Sequence, residues 1–301
     1  MEKSMRRVKI ITDSCADLTA EQLVRYDIDY VRMSTVENGV ETPALLTWSD
    51  DEVHSLYDAM RDGRRITTAQ VSIGEFNSVF MKYLDNDYDI VYIGCSSKQS
   101  GSVNTGSLVA KRLAEKYEGA RIACIDSLNA SIGIGMLAIK AAELRDRGYN
   151  AEKIESEILS LRNRVNQYVT VHSLDALRRA GRVKGPAAFF GNLMGVKPII
   201  ISDACGEQTA YKKVKGRARS FEEIVNLLAE SIEDSESQTI YVTHSDCDKE
   251  EIDMLVGMIK EKISCKGVEV GYIGPIIGAS IGPDAVGIWG YGKEVTYKTG
   301  D

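Results

Sequence analysis

The densest group of side chains that could do chemistry is a run of hydroxyls at residues 96–102. Four serines fall within these seven positions, with a glycine among them. The run follows a predicted strand and precedes a predicted helix, so it lies where free backbone N–H groups point out of the helix end. Such an end, surrounded by hydroxyls, is suited to an anion such as a carboxylate or a phosphate. Capping the helix would need only one hydroxyl, so capping alone does not account for the run.

Three more polar segments fall where predicted strands end or helices begin. They are residues 12–14 (Thr-Asp-Ser), residues 67–72 (Thr-Thr-Ala-Gln-Val-Ser) and residues 126–127 (Asp-Ser). In an open parallel sheet, ligands bind beyond the carboxyl ends of the strands, which is where such loops lie. For Asp13, Ser72 and Asp126 taken singly, helix capping is the preferred interpretation, because Ser and Asp are favoured N-caps.

A further feature is the segment at residues 273–283, which contains two Gly-Pro pairs and places Ser280 among apolar side chains. Glycine allows close approach and unusual backbone angles, and proline holds the adjacent turn. We therefore predict a strand-turn-strand wall here rather than a helix. Such a wall would present backbone groups and one hydroxyl to an apolar pocket.

Several enzyme signatures are missing from the chain. Neither Gly-x-Gly-x-x-Gly nor Gly-x4-Gly-Lys-Ser/Thr occurs, which disfavours dinucleotide-binding and P-loop enzymes. The three histidines, His54, His172 and His244, are isolated, so a general base is hard to nominate. The six cysteines are scattered without a Cys-x-x-Cys pair and are interpreted as small buried thiols in a reducing compartment. Cys95 is disfavoured as a nucleophile because no histidine is near it in sequence.

Composition limits the class of protein. The chain has 301 residues, of which 44% are hydrophobic and 27% charged, and its length suits two domains better than one. A net charge of −7 disfavours a dedicated nucleic-acid binder. No apolar run approaches the roughly 18 residues of a membrane span, and no secretory apolar region opens the chain. We expect a cytoplasmic protein without an integral membrane segment.

The order of predicted elements divides the chain into two units. In the first half, apolar strands alternate with amphipathic helices, two of them opened by Ser-x-x-Glu capping boxes at Ser49 and Ser72. This order is typical of a parallel sheet with helices on both faces. The second half predicts two short helical pieces on either side of residues 181–185, then a hairpin turning at residues 203–207. We therefore predict a parallel α/β domain at residues 1–164, carrying the hydroxyl-rich loops, and an α+β domain at residues 165–301.

Taken together, these segments resemble the DegV family. The similarity runs nearly end to end and is carried by residues 12–14, 67–72, 96–102, 126–127, 177–183 (Leu-Arg-Arg-Ala-Gly-Arg-Val) and 273–291, in this order. The resemblance implies a protein that binds a long-chain, palmitate-like fatty acid in an apolar tunnel between the two domains, the second domain covering the acyl chain. It implies no cofactor, no metal and no catalytic residue. It also implies a fatty acid kinase partner, to which the bound carboxylate is presented.

The same resemblance assigns roles to individual side chains. Hydroxyls would hydrogen-bond the carboxylate, and they belong to Thr68, Thr67, Ser100, Ser97 and Ser280. Ser280 stands where the family has a histidine, and Ala69 and Val71 stand where it has Ser and Pro. Arg182 lies in a segment that the family associates with the partner-facing surface.

Two alternative functions stay open. The four-serine loop also suits a self-sufficient phosphotransferase or hydrolase acting on a small carboxylate, with Asp13 and Asp126 as candidate acids. The exchange of the family histidine for Ser280 also allows a sensor of a different amphiphile.

Overall fold

Within residues 6–172, 174–186, 189 and 195–299, which the computed structural model describes, the chain forms ten α-helices and fourteen β-strands. The strands are β1 (Arg7–Asp13), β2 (Ile28–Val31), β3 (Ser34–Glu37), β4 (Val40–Pro43), β5 (Thr67–Ala69), β6 (Tyr88–Gly94), β7 (Ile122–Asp126), β8 (Val165–Thr170), β9 (Val183–Lys184), β10 (Val196–Ser202), β11 (Gln208–Lys215), β12 (Thr239–His244), β13 (Gly267–Tyr272) and β14 (Val286–Tyr291). The helices are α1 (Ala20–Arg25), α2 (Asp50–Arg61), α3 (Ile73–Leu84), α4 (Ser102–Lys116), α5 (Ile132–Asp146), α6 (Ala151–Leu161), α7 (Asp175–Ala180), α8 (Arg217–Ser231), α9 (Lys249–Lys262) and α10 (Pro275–Ile281).

The first half of the chain builds a four-stranded parallel sheet in the order β2-β1-β6-β7. Two helix pairs, α3 with α4 and α5 with α6, pack against these strands. Strands β1 and β6 are buried almost throughout, as expected for parallel strands covered on both faces. The predicted α/β class and its parallel N-terminal sheet are confirmed.

The helix starts follow the predicted capping chemistry, with one difference. Ser49 and Glu52 close a reciprocal capping box at the start of α2. Ser72 accepts the N–H of Glu75 at 3.1 Å, but the Glu75 carboxylate does not return to the cap. It receives two hydrogen bonds from the Arg32 guanidinium, at 2.7 and 2.9 Å. The second capping box is therefore only half formed, because a bidentate ion pair holds Glu75 more strongly.

A small three-stranded antiparallel sheet, in the order β4-β3-β5, is absent from the sequence-based prediction. The turn between β3 and β4 is Asn38–Gly39, with φ of 50° and 80°. Asn-Gly is the preferred pair for a two-residue hairpin of this geometry, so the sequence carried a signal that the prediction missed. The sheet matters because it brings β5, with its two threonines, next to α10.

The second half builds a seven-stranded mixed sheet in the order β13-β12-β14-β8-β10-β11-β9. The two faces of this sheet pack into different hydrophobic cores, as two neighbouring residues of β14 show. Ile288 packs in a core with residues of α8 and α9, whereas Trp289 packs in the core of the first half. The hairpin of β10 and β11 around residues 203–207 is confirmed. Apolar packing thus continues across residue 165, and the position of the domain boundary stays a prediction.

The glycine- and proline-rich segment contradicts the sequence-based expectation. Pro275–Ile281 is a helix, α10, rather than part of a strand-turn-strand wall. Pro275 occupies the first turn, where a missing N–H costs nothing, and Gly282 ends the helix with φ of 80°. The two Gly-Pro pairs therefore mark the ends of a short helix. Of the two helical pieces predicted around residues 181–185, the first is α7, and the second falls mainly outside the described residues.

Membrane crossing can be judged for the same part of the chain. None of the helices described is both long and apolar enough to span a bilayer.

Candidate ligand-binding cavity

A largely apolar cavity lies between the parallel sheet and the seven-stranded sheet. The cavity and its opening together hold about 750 Å³ of space between atoms. From the first half it is lined by Cys15, Met33, Thr68, Cys95, Gln99, Ser100, Ala130 and Ser131. From the second half it is lined by Gln167, Val169, Leu177, Arg182, Val183, Ile200, Gln208, Ile273, Ile276, Ile277, Ser280, Ile281 and Trp289.

The two threonines of β5 point in opposite directions, as the alternation of a strand requires. Thr68 lines the cavity, and its hydroxyl has no hydrogen-bond partner among the described residues. Thr67 is exposed, does not line the cavity, and donates to the carbonyl of Val36 in the neighbouring strand at 3.2 Å. Of the two predicted threonines, only Thr68 can meet a ligand in this cavity.

The hydroxyl-rich loop at residues 96–102 is tied to the segment that carries Thr68. The Ser102 hydroxyl accepts the N–H of Val71 at 3.1 Å and lies 2.9 Å from the Ser100 hydroxyl. Val71 and Ser102 are 31 residues apart in the sequence, and their contact brings the segments of Thr68 and Ser100 to the same cavity. Ser97, the other predicted serine of the loop, does not line it.

Ser280 reaches the cavity from α10, which packs against β3 and β5. Its hydroxyl, like that of Thr68, has no hydrogen-bond partner within the described part of the chain. Residues 278–282 also match the Gly-x-Ser-x-Gly pattern of hydrolases. That pattern marks a nucleophile only on a sharp strand-to-helix turn, and here the serine sits inside a helix.

Arg182 lines the cavity as well, so its position is not limited to an outer, partner-facing surface. The residue is exposed, and its guanidinium donates to the carbonyl of Ala180 at 2.6 Å. No described carboxylate lies within ion-pair distance of it. Among the described lining residues it is also the single charged side chain. The cavity therefore combines one positive charge and several hydroxyls with mainly apolar walls.

The glutamine side chains that line the cavity belong to a chain of hydrogen bonds. The Trp289 indole donates to Gln167 at 3.3 Å, and Gln167 donates to Gln208 at 2.5 Å. Gln208 donates in turn to the Ser202 hydroxyl at 3.2 Å. With its amide oriented to satisfy both contacts, Gln99 donates to the Arg182 carbonyl at 3.1 Å and accepts from the Gln208 N–H at 3.2 Å. These amides therefore hold the wall together by satisfying one another.

The acids at the strand ends do not cap helices, which corrects the sequence-based interpretation. Asp13 accepts the backbone N–H groups of Cys15 and Cys95, at 3.0 and 2.8 Å, and the hydroxyl of Tyr92 at 3.0 Å. Asp126 accepts the N–H groups of Ser97 and Leu128 at 3.2 and 3.0 Å. Both carboxylates fix loops at the carboxyl ends of the parallel strands, because no helix begins directly after them. Ser72, by contrast, is the N-cap of α3, as predicted.

Behind the cavity wall, Asp17 joins the two halves of the chain. Its carboxylate accepts the N–H of Gly274 at 2.9 Å, at the start of α10. It also accepts the hydroxyl of Ser131, which lines the cavity at the start of α5. Burial raises the pKa of Asp17 from 3.8 to about 7, because the ionised form loses its hydration.

The histidines lie away from the cavity. His54 is half-exposed and lies 2.5 Å from the carboxylate of Asp246. His244 is buried against Tyr272, and burial lowers its pKa to about 4. His172 is exposed at the surface. None of the three lines the cavity.

The sequence-based prediction missed the lining contributed by β8, β10 and β11. Gln167, Ile200 and Gln208 lie in strands without a hydroxyl run or a glycine pattern to single them out. Cys15 and Cys95 did carry a signal, because each lies beside a polar segment at the end of a parallel strand. The sequence alone predicts small buried thiols at both positions and disfavours Cys95 as a nucleophile.

Comparison with known proteins agrees with this architecture. A family model described as "Uncharacterised protein, DegV family" matches residues 7–293. A DegV domain-containing protein of Clostridium perfringens is 33% identical over 96% of this chain and 100% of its own. The solved structure of a fatty-acid-binding DegV family protein from Thermus thermophilus superposes with a TM-score of 0.84 at 25% identity, covering 95% of this chain and 100% of that one. A stearic-acid-binding protein from Eubacterium ventriosum superposes with a TM-score of 0.82 at 22% identity, covering 94% and 97%. The chain belongs to the DegV family.

Proposed function

We propose that this protein binds a long-chain fatty acid in the cavity between its two sheets. The observation that carries the proposal is the composition of the wall: mainly apolar side chains, four hydroxyls at Thr68, Ser100, Ser131 and Ser280, and the guanidinium of Arg182. An amphiphile with one anionic end matches this distribution. The fatty-acid-binding relatives in the same family support the same ligand class.

The carboxylate is assigned to the hydroxyl-bearing part of the wall. A carboxylate taken out of water must be met by hydrogen-bond donors, and the hydroxyls of Thr68 and Ser280 have no described partner to lose. Ser100 adds a third hydroxyl from the loop tied to the Thr68 segment. Arg182 offers a positive charge in a cavity where Ser280 replaces the histidine implied by the family resemblance. We assign no direct contact to Thr67 and Ser97, which lie outside the lining.

The acyl chain is assigned to the apolar remainder of the cavity, among Val169, Ile200, Ile276 and Ile277. Each buried methylene contributes about 0.8 kcal/mol. A palmitate-like chain of about sixteen carbons therefore supplies ample affinity even after the cost of ordering it. Burial of the acyl chain therefore supplies most of the affinity, and the hydrogen-bond donors to the carboxylate determine which way round the fatty acid binds.

A fatty acid kinase is the proposed partner, and the protein itself then carries its ligand without reacting it. Arg182 is exposed and also lines the cavity, which supports presentation of the carboxylate at the surface. Incubation of the protein with oleate and ATP, without a partner, is expected to give no acyl phosphate. Appreciable acyl phosphate would favour the alternative of a self-sufficient phosphotransferase.

The direct test is extraction of the purified protein under denaturing conditions, followed by mass spectrometry of the released lipid. A long-chain fatty acid in about one-to-one ratio to protein is the expected result. A different amphiphile would favour the sensor alternative. An empty extract, with no thermal shift on adding fatty acids, would contradict fatty acid binding.

Removing the Ser100 hydroxyl is expected to weaken fatty acid binding by about 1–3 kcal/mol, because the buried carboxylate then lacks a donor. The measurement is the dissociation constant of palmitate for Ser100→Ala. The matched control is Ser97→Ala, which removes a hydroxyl of the same loop that does not line the cavity and should leave the constant unchanged. Equal affinities for Ser100→Ala and the unmodified protein would place the head group elsewhere.

A further inference from the structure

The cavity wall contains a pair of thiols that the proposed binding function does not use. Cys15 follows β1 and Cys95 follows β6, and these two strands are neighbours in the parallel sheet. Both side chains line the cavity and are otherwise buried, with 1% and 2% of their surface exposed. The two cysteines thus face the same space from adjacent strand ends, which lie about 4.8 Å apart in a sheet.

A single carboxylate holds both cysteines in place. One oxygen of Asp13 accepts the N–H of Cys15 at 3.0 Å, and the other accepts the N–H of Cys95 at 2.8 Å. Because Asp13 is itself fully buried, the two backbones are fixed relative to each other. A disulfide requires Cα atoms about 4.4–6.8 Å apart, and the shared carboxylate holds the two backbones side by side at the ends of neighbouring strands.

The Cys15 thiol also contacts a third sulfur. It donates to the Met33 thioether at 3.3 Å. The neighbouring Cys95 thiol and burial raise the pKa of the Cys15 thiol well above its usual range. At neutral pH Cys15 is therefore a thiol rather than a thiolate, and it reacts slowly. Such a pair is suited to a slow response to oxidants rather than to catalysis.

We propose that Cys15 and Cys95 form a redox-sensitive pair: a peroxide that enters the empty cavity oxidises them to a disulfide, and the disulfide weakens fatty acid binding. The oxidant is hydrogen peroxide or an organic hydroperoxide, including that of a fatty acid. One sulfur attacks the peroxide and breaks its O–O bond, giving a sulfenic acid and water or an alcohol. The second thiol then displaces water and forms the S–S bond. Two electrons pass from the sulfurs to the peroxide.

The effect on the ligand follows from the position of Cys95, and it rests on the proposed fatty acid site. Cys95 leads directly into residues 96–102, which carry Ser100. Closing the sulfurs to the bond length of about 2.0 Å draws this loop toward β1 and displaces the head-group donor. A bound acyl chain, conversely, fills the space through which a peroxide reaches the thiols. Oxidation and fatty acid binding are therefore expected to exclude each other.

The test uses the full chain, reduced and stripped of lipid, then treated with hydrogen peroxide. Peptide mapping is expected to find a Cys15–Cys95 disulfide, and palmitate affinity is expected to fall at least tenfold and to recover with dithiothreitol. Cys95→Ala and Cys15→Ala should keep their affinity under the same treatment. The matched control is Cys205→Ala, which removes an exposed thiol elsewhere and should respond like the unmodified protein.

Several outcomes would overturn the inference. These are the absence of a disulfide between the two residues, unchanged palmitate affinity once it has formed, and equal oxidation rates for the empty and the palmitate-loaded protein. The disulfide is mapped in the absence of fatty acid, so its detection does not depend on the proposed function. Failure of the proposed function can therefore be distinguished from failure of this inference. In that case the reduced protein would not bind palmitate at all.

Discussion

Shortening the fatty acid from sixteen to ten carbons is expected to weaken its binding by up to about three and a half orders of magnitude. The cavity wall beyond the hydroxyls is mainly apolar, so affinity should grow with the length of chain that it encloses. At about 0.8 kcal/mol per methylene, each carbon changes Kd by roughly fourfold. Ordering of the flexible chain reduces this slope, which makes fourfold an upper value.

The measurement is a series of dissociation constants for saturated fatty acids from ten to eighteen carbons. The slope should flatten where the chain has filled the cavity, so the break point reports the usable length. The matched control is 1-hexadecanol, which keeps the chain of palmitate and lacks the carboxylate. It should bind more weakly than palmitate, and Ser100→Ala should narrow that difference.

A flat series would contradict the assignment of the cavity to an acyl chain. Equal affinity for decanoate and palmitate would mean that the ligand makes its contacts through the head group alone. That result would favour the alternative in which a small carboxylate is bound. A steep series with no difference between palmitate and hexadecanol would instead favour a sensor for an uncharged amphiphile.

Replacing Asp17 by Asn is expected to stabilise the folded protein at pH 8 by about 2–4 kcal/mol and to leave it nearly unchanged at pH 4. Burial raises the pKa of Asp17 from 3.8 to about 7, so the folded state holds this proton more tightly than the unfolded chain. The stability that Asp17 contributes is complete below about pH 4 and is lost as the pH rises through 7. Above pH 7 the folded protein carries a buried charge that the asparagine variant lacks.

The asparagine can keep the hydrogen bonds that the acid makes. Its carbonyl can accept the N–H of Gly274, and its amide can donate to Ser131, whose hydroxyl lies 3.1 Å from that of Thr243. The backbone at Asp17 has φ of 47°, a conformation that Asn tolerates well. The variant should therefore remove the ionisable group without a new unsatisfied donor.

The measurement is the free energy of unfolding of both proteins by denaturant between pH 4 and pH 9. Asp234→Asn is the matched control, because Asp234 also has positive φ, at 49°, but is exposed. The control makes the same substitution at a similar backbone angle without removing a buried carboxylate. A difference between Asp17→Asn and the unmodified protein that does not vary with pH would show that Asp17 does not titrate in this range.

Much of the fold could be predicted from local patterns. Parallel strands such as β1 and β6 are continuous apolar runs, and helices such as α2 carry their own start signals, so their class follows from the residues within them. The predictions failed where a longer-range partner decided the outcome. Glu75 pairs with Arg32 instead of completing its capping box, and α10 forms because its apolar side chains pack against β3, β5 and α7.

The site divides in the same way. The sequence by itself determined that hydroxyls would gather at the ends of the parallel strands, and similarity to the DegV family singled out Thr68, Ser100 and Ser280. Only the tertiary structure decided that Thr68 faces the cavity and Thr67 does not, that Arg182 joins the lining, and that Cys15 and Cys95 share one carboxylate. The physical reason is that the polar residues at a strand end are neighbours in the sequence, so a local pattern reveals them. A cavity wall consists of side chains that are far apart in the sequence, and the packing of the sheets decides which of them face the cavity.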